Sequence, residues 1–269
     1  MSPLPVQIIF LDLDGTLLSS GKQISPGNVD ALKRTQQAGV RIVPCSGRMF
    51  PAVQKLFADL QICAHVITLN GAEIYDAASG QCLYRESIPL ARAVEIVRYA
   101  YSGNASCGCF QAGRLLLDST AFQSIPAHHK NPFCLEASPL PDVLWQVGAA
   151  VEKITVNLEE QAERERMIQL FSARFPEASV TSSRPGNLEI GAKTATKADA
   201  MCYLCGKLHI PMEQVLACGD SLNDIGMLQT AGIGVAMGNA EAPVLKASKY
   251  CTACNDDDGV ARAIARFVL

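Results

Sequence analysis

The sequence contains few charged residues, no long hydrophobic segment and no excess of basic residues. Charged residues make up 18% of its 269 residues and hydrophobic residues 49%, which argues against intrinsic disorder. No apolar run approaches the roughly 18 residues of a membrane-spanning helix. The first run, Val6–Leu11, has no charged region before it, so we expect no signal peptide. The net charge of −3 argues against nucleic acid and membrane partners, and no protein partner is evident.

Cysteine is abundant by comparison, with eleven residues. Without a secretion signal, free thiols in the reducing cytoplasm are the expected state. The Cys-x-x-Cys stretches Cys202–Cys205 and Cys251–Cys254 are separated by 45 residues. The pairs of a common zinc ribbon are only roughly 15–20 residues apart. The adjacent His128–His129 would point to opposite faces of a strand, which makes them poor partners for one metal ion.

Short apolar, β-branched runs alternate with helical patterns at both ends of the chain. Each run is apolar on both faces, which is typical of a strand that is buried between helices in a parallel sheet. Ser25-Pro26 marks the start of one helix and Gly39 its end. Strands are predicted over Val6–Leu11, Val40–Cys45, Val66–Leu69, Val215–Cys218 and Gly234–Met237. The alternation predicts an α/β fold with a Rossmann-like, doubly wound parallel sheet as its core.

The middle of the chain has a different pattern. Paired strands are predicted at Cys107–Phe110 and Arg114–Asp118, a charged helix over Glu160–Ala173, and a hairpin from Ser179–Ser182 to Asn187–Ile190. Antiparallel turns mixed with helices indicate a separate α+β unit. We therefore expect residues 85–190 to form an inserted domain, and residues 1–84 and 191–269 to form the core.

Two aspartates follow the first predicted strand in the motif Asp12-Leu13-Asp14-Gly15-Thr16. Open α/β sheets bind their ligands at the carboxyl ends of the strands. An aspartate at that position can act as a nucleophile, and a second one as a general acid and base. Gly15 permits a tight turn after Asp14. The alternative is an ordinary turn or helix cap, where Asp-Gly is common.

A second acidic motif, Gly219-Asp220-Ser221-Leu222-Asn223-Asp224, follows another buried strand. With Asp12, its carboxylate and amide side chains make an oxygen-rich site suited to Mg²⁺, which prefers carboxylate, carbonyl and water ligands. The alternative is that Asp220 or Asn223 caps the next helix. Capping would explain one of these residues and not all three.

Two further features are suited to phosphate. Ser46-Gly47-Arg48 follows the second strand, where a hydroxyl and a free backbone N–H can hold an anion, although a serine helix cap has the same pattern. Lys197 begins a predicted helix, where a positive charge opposes the helix dipole. An ammonium held near carboxylates and a phosphate explains that position. A solvated surface lysine is the alternative.

Together these motifs resemble those of the haloacid dehalogenase-like phosphatase superfamily, and most of all its Cof-type branch. Both acidic motifs and the Ser-Gly turn follow separate predicted strands, so they converge on one edge of the sheet. Three accessory motifs of the branch are also present: Asn70-Gly71-Ala72, Ala236-Met237-Gly238-Asn239-Ala240 and Asn255-Asp256-Asp257-Asp258-Gly259-Val260. The resemblance extends over essentially the whole chain. One departure is Ala198, where the family usually has glycine.

The resemblance implies a phosphatase that forms an aspartyl-phosphate on Asp12. Asp14 would protonate the leaving alcohol and then deprotonate the hydrolytic water. Mg²⁺ would be held by the Asp12 carboxylate, the Asp14 backbone carbonyl and Asp220. The phosphoryl oxygens would be held by Ser46, Gly47, Lys197 and Asn223. Supporting roles fall to Thr16, Arg48, Asn70 and Asp224, of which Asp224 would position Lys197 or a metal-bound water. The inserted domain would be an α/β cap of the C2B type.

Small phosphorylated metabolites are the substrates that the resemblance implies, either sugar phosphates or phosphorylated cofactors, in the cytoplasm. Two alternatives stay open. A phosphomutase or phosphotransferase would use the same motifs with an alcohol as the acceptor. A non-catalytic regulator that binds a phosphorylated metabolite would keep the fold but would not need Asp12, Asp14 and Asp220, all of which are present.

Overall fold

Residues 5–126, 132–158, 163–184 and 186–269 are described in the computed structural model, and the chain divides into two units. One unit comprises Met1–Tyr84 and Thr196–Leu269, and the other comprises Arg85–Ala195. The histidine pair His128–His129 and the start of the helix predicted over Glu160–Ala173 lie outside the described residues. Within the described ranges, no helix combines the length and the apolar character that crossing a membrane requires.

Strands and helices alternate through much of the first unit, and the second unit combines helices with mostly antiparallel strands. The strands are β1 (Ile8–Leu11), β2 (Arg41–Pro44), β3 (His65–Thr68), β4 (Glu73–Asp76), β5 (Cys82–Arg85), β6 (Ser106–Gln111), β7 (Arg114–Leu117), β8 (Cys134–Glu136), β9 (Val151–Asn157), β10 (Ala178–Thr181), β11 (Asn187–Ala192), β12 (Val215–Gly219), β13 (Ile233–Ala236) and β14 (Tyr250–Cys251). The α-helices are α1 (Pro26–Gln37), α2 (Phe50–Phe57), α3 (Leu90–Ser102), α4 (Ser119–Ser124), α5 (Leu140–Val147), α6 (Arg164–Arg174), α7 (Lys197–Leu208), α8 (Ile225–Thr230), α9 (Ala242–Ala247) and α10 (Gly259–Phe267).

A five-stranded parallel sheet lies at the centre of the first unit, with the strand order β14-β13-β12-β1-β2. In β1, Ile9 and Leu11 belong to the core cluster that includes residues of α1 and α10. Ile8 and Phe10 belong to the cluster that includes residues of α7 and α8. Successive side chains of a strand point to opposite faces, so helices cover both faces of the sheet. The α/β, doubly wound prediction is confirmed, and the carboxyl ends of β1 and β12 lie side by side.

The strand predicted over Val66–Leu69 differs from expectation. It is observed as β3, which pairs antiparallel with β4 in a small sheet of order β3-β4-β5. Its parallel contact with the main sheet is limited to isolated bridges, such as that between Cys45 and Ile67. The reason is a chain reversal just after β3. Leu69 and Asn70 have φ values of 50° and 62°, and Gly71 has a φ of 105°.

The second unit is built on a six-stranded sheet of order β10-β11-β9-β6-β7-β8. Both predicted antiparallel pairs are observed, β6 with β7 and β10 with β11, whereas β7 and β8 are parallel. One buried cluster joins residues of α3, α5 and α6 to the sheet, with Phe171 and Ile154 fully buried within it. The domain end predicted at residue 190 falls inside β11, and the unit ends at Ala195.

Candidate active site

A buried lysine lies between two aspartates at the carboxyl end of β1. The Asp12 N–H donates to the Cys218 carbonyl of β12 at 3.0 Å, which places Asp12 directly beyond the paired strands. Lys197 is the first residue of α7, and its Nζ lies 2.6 Å from Asp12 Oδ1 and 2.6 Å from Asp224 Oδ1. Only 1% of Lys197 is exposed. The alternative of a solvated surface lysine is therefore wrong.

The charges of this cluster depend on one another. Burial raises the pKa of Asp12 well above its ordinary value, and the neighbouring Asp224 and Asp220 add to this, while Lys197 opposes it. Burial alone would lower the pKa of Lys197, but Asp12 and Asp224 outweigh it and raise that pKa well above its ordinary value. Lys197 is therefore an ammonium, and it is the charge that makes two carboxylates tolerable in the interior.

The second acidic motif forms a capping turn after β12. Ser221 is the N-cap residue, and Asp224 Oδ2 accepts hydrogen bonds from the backbone N–H groups of Asp220 and Ser221 at 2.9 and 3.0 Å. Asp220 accepts from the hydroxyls of Thr16 at 2.8 Å and Ser221 at 3.1 Å. Burial raises the pKa of Asp220, and the charge of Asp224 adds to this. The alternative of a cap by Asp220 or Asn223 is wrong, because Ser221 has that role.

Three of these carboxylates could bind a metal ion. Oxygen atoms of Asp12, Asp220 and Asp224 lie within 4.8 Å of one another. Asp224 accepts three hydrogen bonds, from Lys197 and two backbone N–H groups, whereas Asp220 accepts two, both from hydroxyls. Asp12 and Asp220 therefore have more capacity left for a metal. Carboxylate oxygens are hard ligands, and three ionised carboxylates carry two more negative charges than Lys197 neutralises. The donor set therefore fits Mg²⁺.

The Asp14 side chain is not part of this carboxylate cluster. Arg48 donates to both of its oxygens, Nε to Oδ2 and a terminal nitrogen to Oδ1, each at 2.7 Å. Lys22 Nζ also donates to Oδ1, at 2.8 Å. Burial alone would raise the pKa of Asp14, but the hydrogen bonds from Arg48 and Lys22 outweigh it and lower the pKa to about 2. Asp14 is therefore ionised at neutral pH in this arrangement.

The turn directly after Asp14 requires glycine at position 15. Gly15 has a φ of +87°, and a Cβ there would lie 2.4 Å from Asp220 Oδ2. A side chain would be strained by the backbone and would also displace the Asp220 carboxylate. Gly15 thus allows the first and second acidic motifs to approach each other.

Two of the expected phosphate-binding residues, Ser46 and Asn223, are connected to each other by hydrogen bonds through Asn70. Ser46 is 2% exposed, its Oγ accepts from the Arg48 N–H at 3.2 Å, and its carbonyl accepts from the Asn70 N–H at 3.0 Å. Asn223 Nδ2 donates to Asn70 Oδ1 at 3.2 Å. Asn223 Oδ1 is buried without a hydrogen-bond partner among the described residues. Gly47 lies in the same turn as Ser46 and Arg48.

Sequence reasoning missed some residues of the site. The Ser-x-x-Asp spacing of Ser221 and Asp224 is the signature of a capping box, so that turn could have been recognised. Asn239 donates to the Gly15 carbonyl at 2.8 Å, and the accessory motif that contains it had no assigned role. Lys22 left no signal, because its contact with Asp14 depends on the shape of an exposed turn.

Comparison with known proteins assigns the family. A family model for haloacid dehalogenase-like hydrolases matches residues 9–264, so the chain belongs to this family. The chain is 32% identical over 279 residues to phosphatase YwpJ of Bacillus subtilis, covering 95% of this chain and 98% of that protein. It is also 32% identical over 273 residues to 5-amino-6-(5-phospho-D-ribitylamino)uracil phosphatase YcsE of the same organism, covering 98% and 96%.

The fold agrees with this assignment. A solved structure of a haloacid dehalogenase-like hydrolase from B. subtilis has a TM-score of 0.81 at 27% identity, covering 98% of this chain and 100% of that one. The family and the hydrolase class that the motifs predict are therefore confirmed.

Proposed function

We propose that the protein is a Mg²⁺-dependent phosphatase that hydrolyses small phosphorylated metabolites through an aspartyl-phosphate on Asp12. The observation that supports this most is the buried Asp12, which Lys197 holds beside Asp220 at the end of β1. Two relatives are named phosphatases, and the substrate in the name of YcsE is a small phosphate ester of a sugar alcohol chain. Sugar phosphates and phosphorylated cofactors are the substrate classes proposed here.

The nucleophile would be the Asp12 carboxylate, whose orientation is fixed by the hydrogen bond from Lys197 to Oδ1. Mg²⁺ would be held by the Asp12 carboxylate, the Asp14 backbone carbonyl and Asp220. When bound, it would reduce the repulsion between carboxylate and phosphate and stabilise charge on the transferring group. Asp224 would keep Lys197 in place rather than bind the metal directly.

Phosphoryl transfer would occur in two steps. In the first, an Asp12 oxygen bonds to phosphorus, the bond from phosphorus to the alcohol oxygen breaks, and Asp14 protonates that oxygen. In the second, Asp14 accepts a proton from water as the water oxygen attacks phosphorus and releases Asp12. Ser46, the Gly47 N–H, Lys197 and Asn223 would donate hydrogen bonds to the phosphoryl oxygens, with Arg48, Asn70 and Thr16 in support.

The protonation state of Asp14 differs between these steps. Paired with Arg48 and Lys22, with a pKa of about 2, it is in the ionised form that the second step needs. Its action as an acid in the first step requires a proton on the same carboxyl group.

Two further assignments complete this proposal. The unit Arg85–Ala195 would be the C2B-type cap, and Met1–Tyr84 with Thr196–Leu269 the hydrolase core. Cytoplasmic action is supported by the eleven cysteines, all of which are free thiols.

A panel of phosphorylated metabolites, scored for released phosphate, tests the proposal. We expect hydrolysis of several small esters with Mg²⁺, loss of activity in EDTA, recovery with Mg²⁺ and poor recovery with Ca²⁺, whose larger radius relaxes the ligand positions. Added alcohols distinguish the alternatives, because a phosphotransferase would form new phosphate esters from them. Binding of phosphorylated metabolites without phosphate release would favour a regulator and contradict the proposal, as would full activity after exhaustive chelation.

A further inference from the structure

The turn that contains Lys22 is well defined although it is exposed. The Ser19 N–H donates to the Gln23 carbonyl and the Lys22 N–H to the Ser19 carbonyl, both at 2.9 Å. Lys22 adopts a left-handed conformation with a φ of 59°, and its Nζ lies 2.8 Å from Asp14 Oδ1. An isolated pair between exposed side chains orders a flexible lysine only weakly. The position of Lys22 beside Asp14 therefore depends on other contacts of this turn.

A loop near the C-terminus, Asn255–Asp258, fastens the Lys22 turn on both sides. Asp256 Oδ1 accepts from the Ser20 N–H at 2.7 Å, and Asn255 Nδ2 donates to the Leu18 carbonyl at 2.8 Å. Beyond the turn, the Ser25 hydroxyl donates to Asp258. This loop is the accessory motif Asn255-Asp256-Asp257-Asp258, to which the proposed chemistry gives no role.

The same loop also fixes the turn that follows Asp14. Asn239 Nδ2 donates to the Gly15 carbonyl at 2.8 Å. The Asn255 N–H in turn donates to Asn239 Oδ1 at 2.9 Å. Asn255 is thus connected to the Asp14-Gly15 turn through one residue and to the Lys22 turn directly. One loop therefore sets the position of Lys22 relative to Asp14.

We propose that Lys22 is a positioning residue for Asp14 and that the loop Asn255–Asp258 places it there. The assignment rests on the proposed function, in which Asp14 is the general acid and base. Arg48 contacts both Asp14 oxygens and Lys22 contacts one of them from a second element, so three donor atoms define the orientation of the carboxylate. A proton donor in a fixed orientation transfers its proton more efficiently than one that samples several.

Leaving-group dependence distinguishes this role from a merely structural one. Ribose 5-phosphate releases an alcohol that must be protonated, whereas p-nitrophenyl phosphate releases a stabilised phenolate. For Lys22→Met we expect kcat/KM with ribose 5-phosphate to fall about fivefold to tenfold, a small part of the roughly hundredfold or more that a general acid contributes. The fall with p-nitrophenyl phosphate should be several times smaller. Lys22→Arg should restore most of the loss, and Lys33→Met on the exposed side of α1 is the matched control.

A second variant tests the loop. Asp256→Ala removes the acceptor for the Ser20 N–H and should lower kcat/KM for ribose 5-phosphate relative to kcat/KM for p-nitrophenyl phosphate. Asp257→Ala, at an exposed neighbouring aspartate, should leave this ratio unchanged. Three results for Lys22→Met would overturn the role of Lys22 while the proposed function stands. They are an equal loss of kcat/KM on both esters, no loss on either, and a gain with ribose 5-phosphate. If another alkyl ester of the metabolite panel is the one hydrolysed, it takes the place of ribose 5-phosphate in this comparison. A wild type that hydrolyses no ester of the panel would overturn the proposed function and this assignment together.

Discussion

Replacing Lys197 with methionine tests whether this lysine neutralises the buried carboxylates of the site. Methionine has a similar length and no charge, so Asp12 and Asp224 would each lose a donor at 2.6 Å with little change in packing. Removing one partner of a buried ion pair costs about 3–5 kcal/mol, because the other charge stays buried without compensation. That loss is a large part of the roughly 5–15 kcal/mol that stabilises a typical protein.

The loss should depend on pH in a defined direction. Without Lys197, the pKa of Asp12 rises further, so the native variant binds a proton that the unfolded chain has released near neutral pH. Stability increases with pH only where the unfolded state binds more protons, and here the native state binds more. The free energy of unfolding of Lys197→Met should therefore fall as pH rises from weakly acidic to neutral values, more steeply than in the wild type.

Urea unfolding in EDTA measures this effect. The one tryptophan, Trp145, lies in the other unit, so its fluorescence is a poor probe of the unit that holds the site. Unfolding should instead be followed by hydrogen exchange of peptides from β1 and β12. With a slope of about 2 kcal/mol per molar urea, the midpoint should fall by about 1.5–2.5 M. Lys207→Met, at an exposed position of the same helix, should cost less than about 1 kcal/mol. Equal midpoints for the two variants would refute the neutralising role.

Two other predictions concern the geometry and the charge of the metal site. Gly15→Ala should cost about 1–3 kcal/mol and weaken Mg²⁺ binding, because its Cβ would meet Asp220. Gly39→Ala is the control, because Gly39 has a similar φ of +81° but a Cβ there would meet nothing within 4 Å. In a thermal melt this variant should also lose stability, but it should bind Mg²⁺ like the wild type. Identical Mg²⁺ titrations of the two variants would contradict the prediction for Gly15. Burial raises the pKa of Asp12 and Asp220, so Mg²⁺ must displace protons when it binds. Added Mg²⁺ should therefore raise the melting temperature more at weakly basic than at weakly acidic pH. An equal increase at both pH values would count against Asp12 and Asp220 as metal ligands.

The position of the acidic motifs could be predicted from the sequence because parallel topology determines it. Asp12 and Asp220 each follow a strand that is apolar on both faces, and the carboxyl ends of adjacent parallel strands lie at the same edge. The burial of Lys197 could not be decided in that way, since its helix pattern also suits an exposed lysine. It follows from the two carboxylates that surround it in the folded chain.

Features set by single turns were beyond sequence reasoning. The reversal at Leu69 and Asn70 makes β3 part of an antiparallel hairpin, and the apolar pattern of Val66–Leu69 is the same for either pairing. The contact of Lys22 with Asp14 depends on hydrogen bonds to a loop more than 200 residues away, such as the bond from Ser20 to Asp256 with a separation of 236. No local pattern specifies such a contact.

Detection of a phosphorylated Asp12 tests the central mechanism most directly. The protein would be mixed with Mg²⁺ and a hydrolysed ester from the metabolite panel, quenched in acid during turnover, and digested for peptide mass spectrometry. We expect one phosphoryl group on the peptide that contains Asp12, and neither this adduct nor phosphate release in a folded Asp12→Asn variant, because an amide does not form an acyl-phosphate as a carboxylate does. Near-wild-type phosphate release by Asp12→Asn, or a phosphoryl group on another residue, would contradict the account.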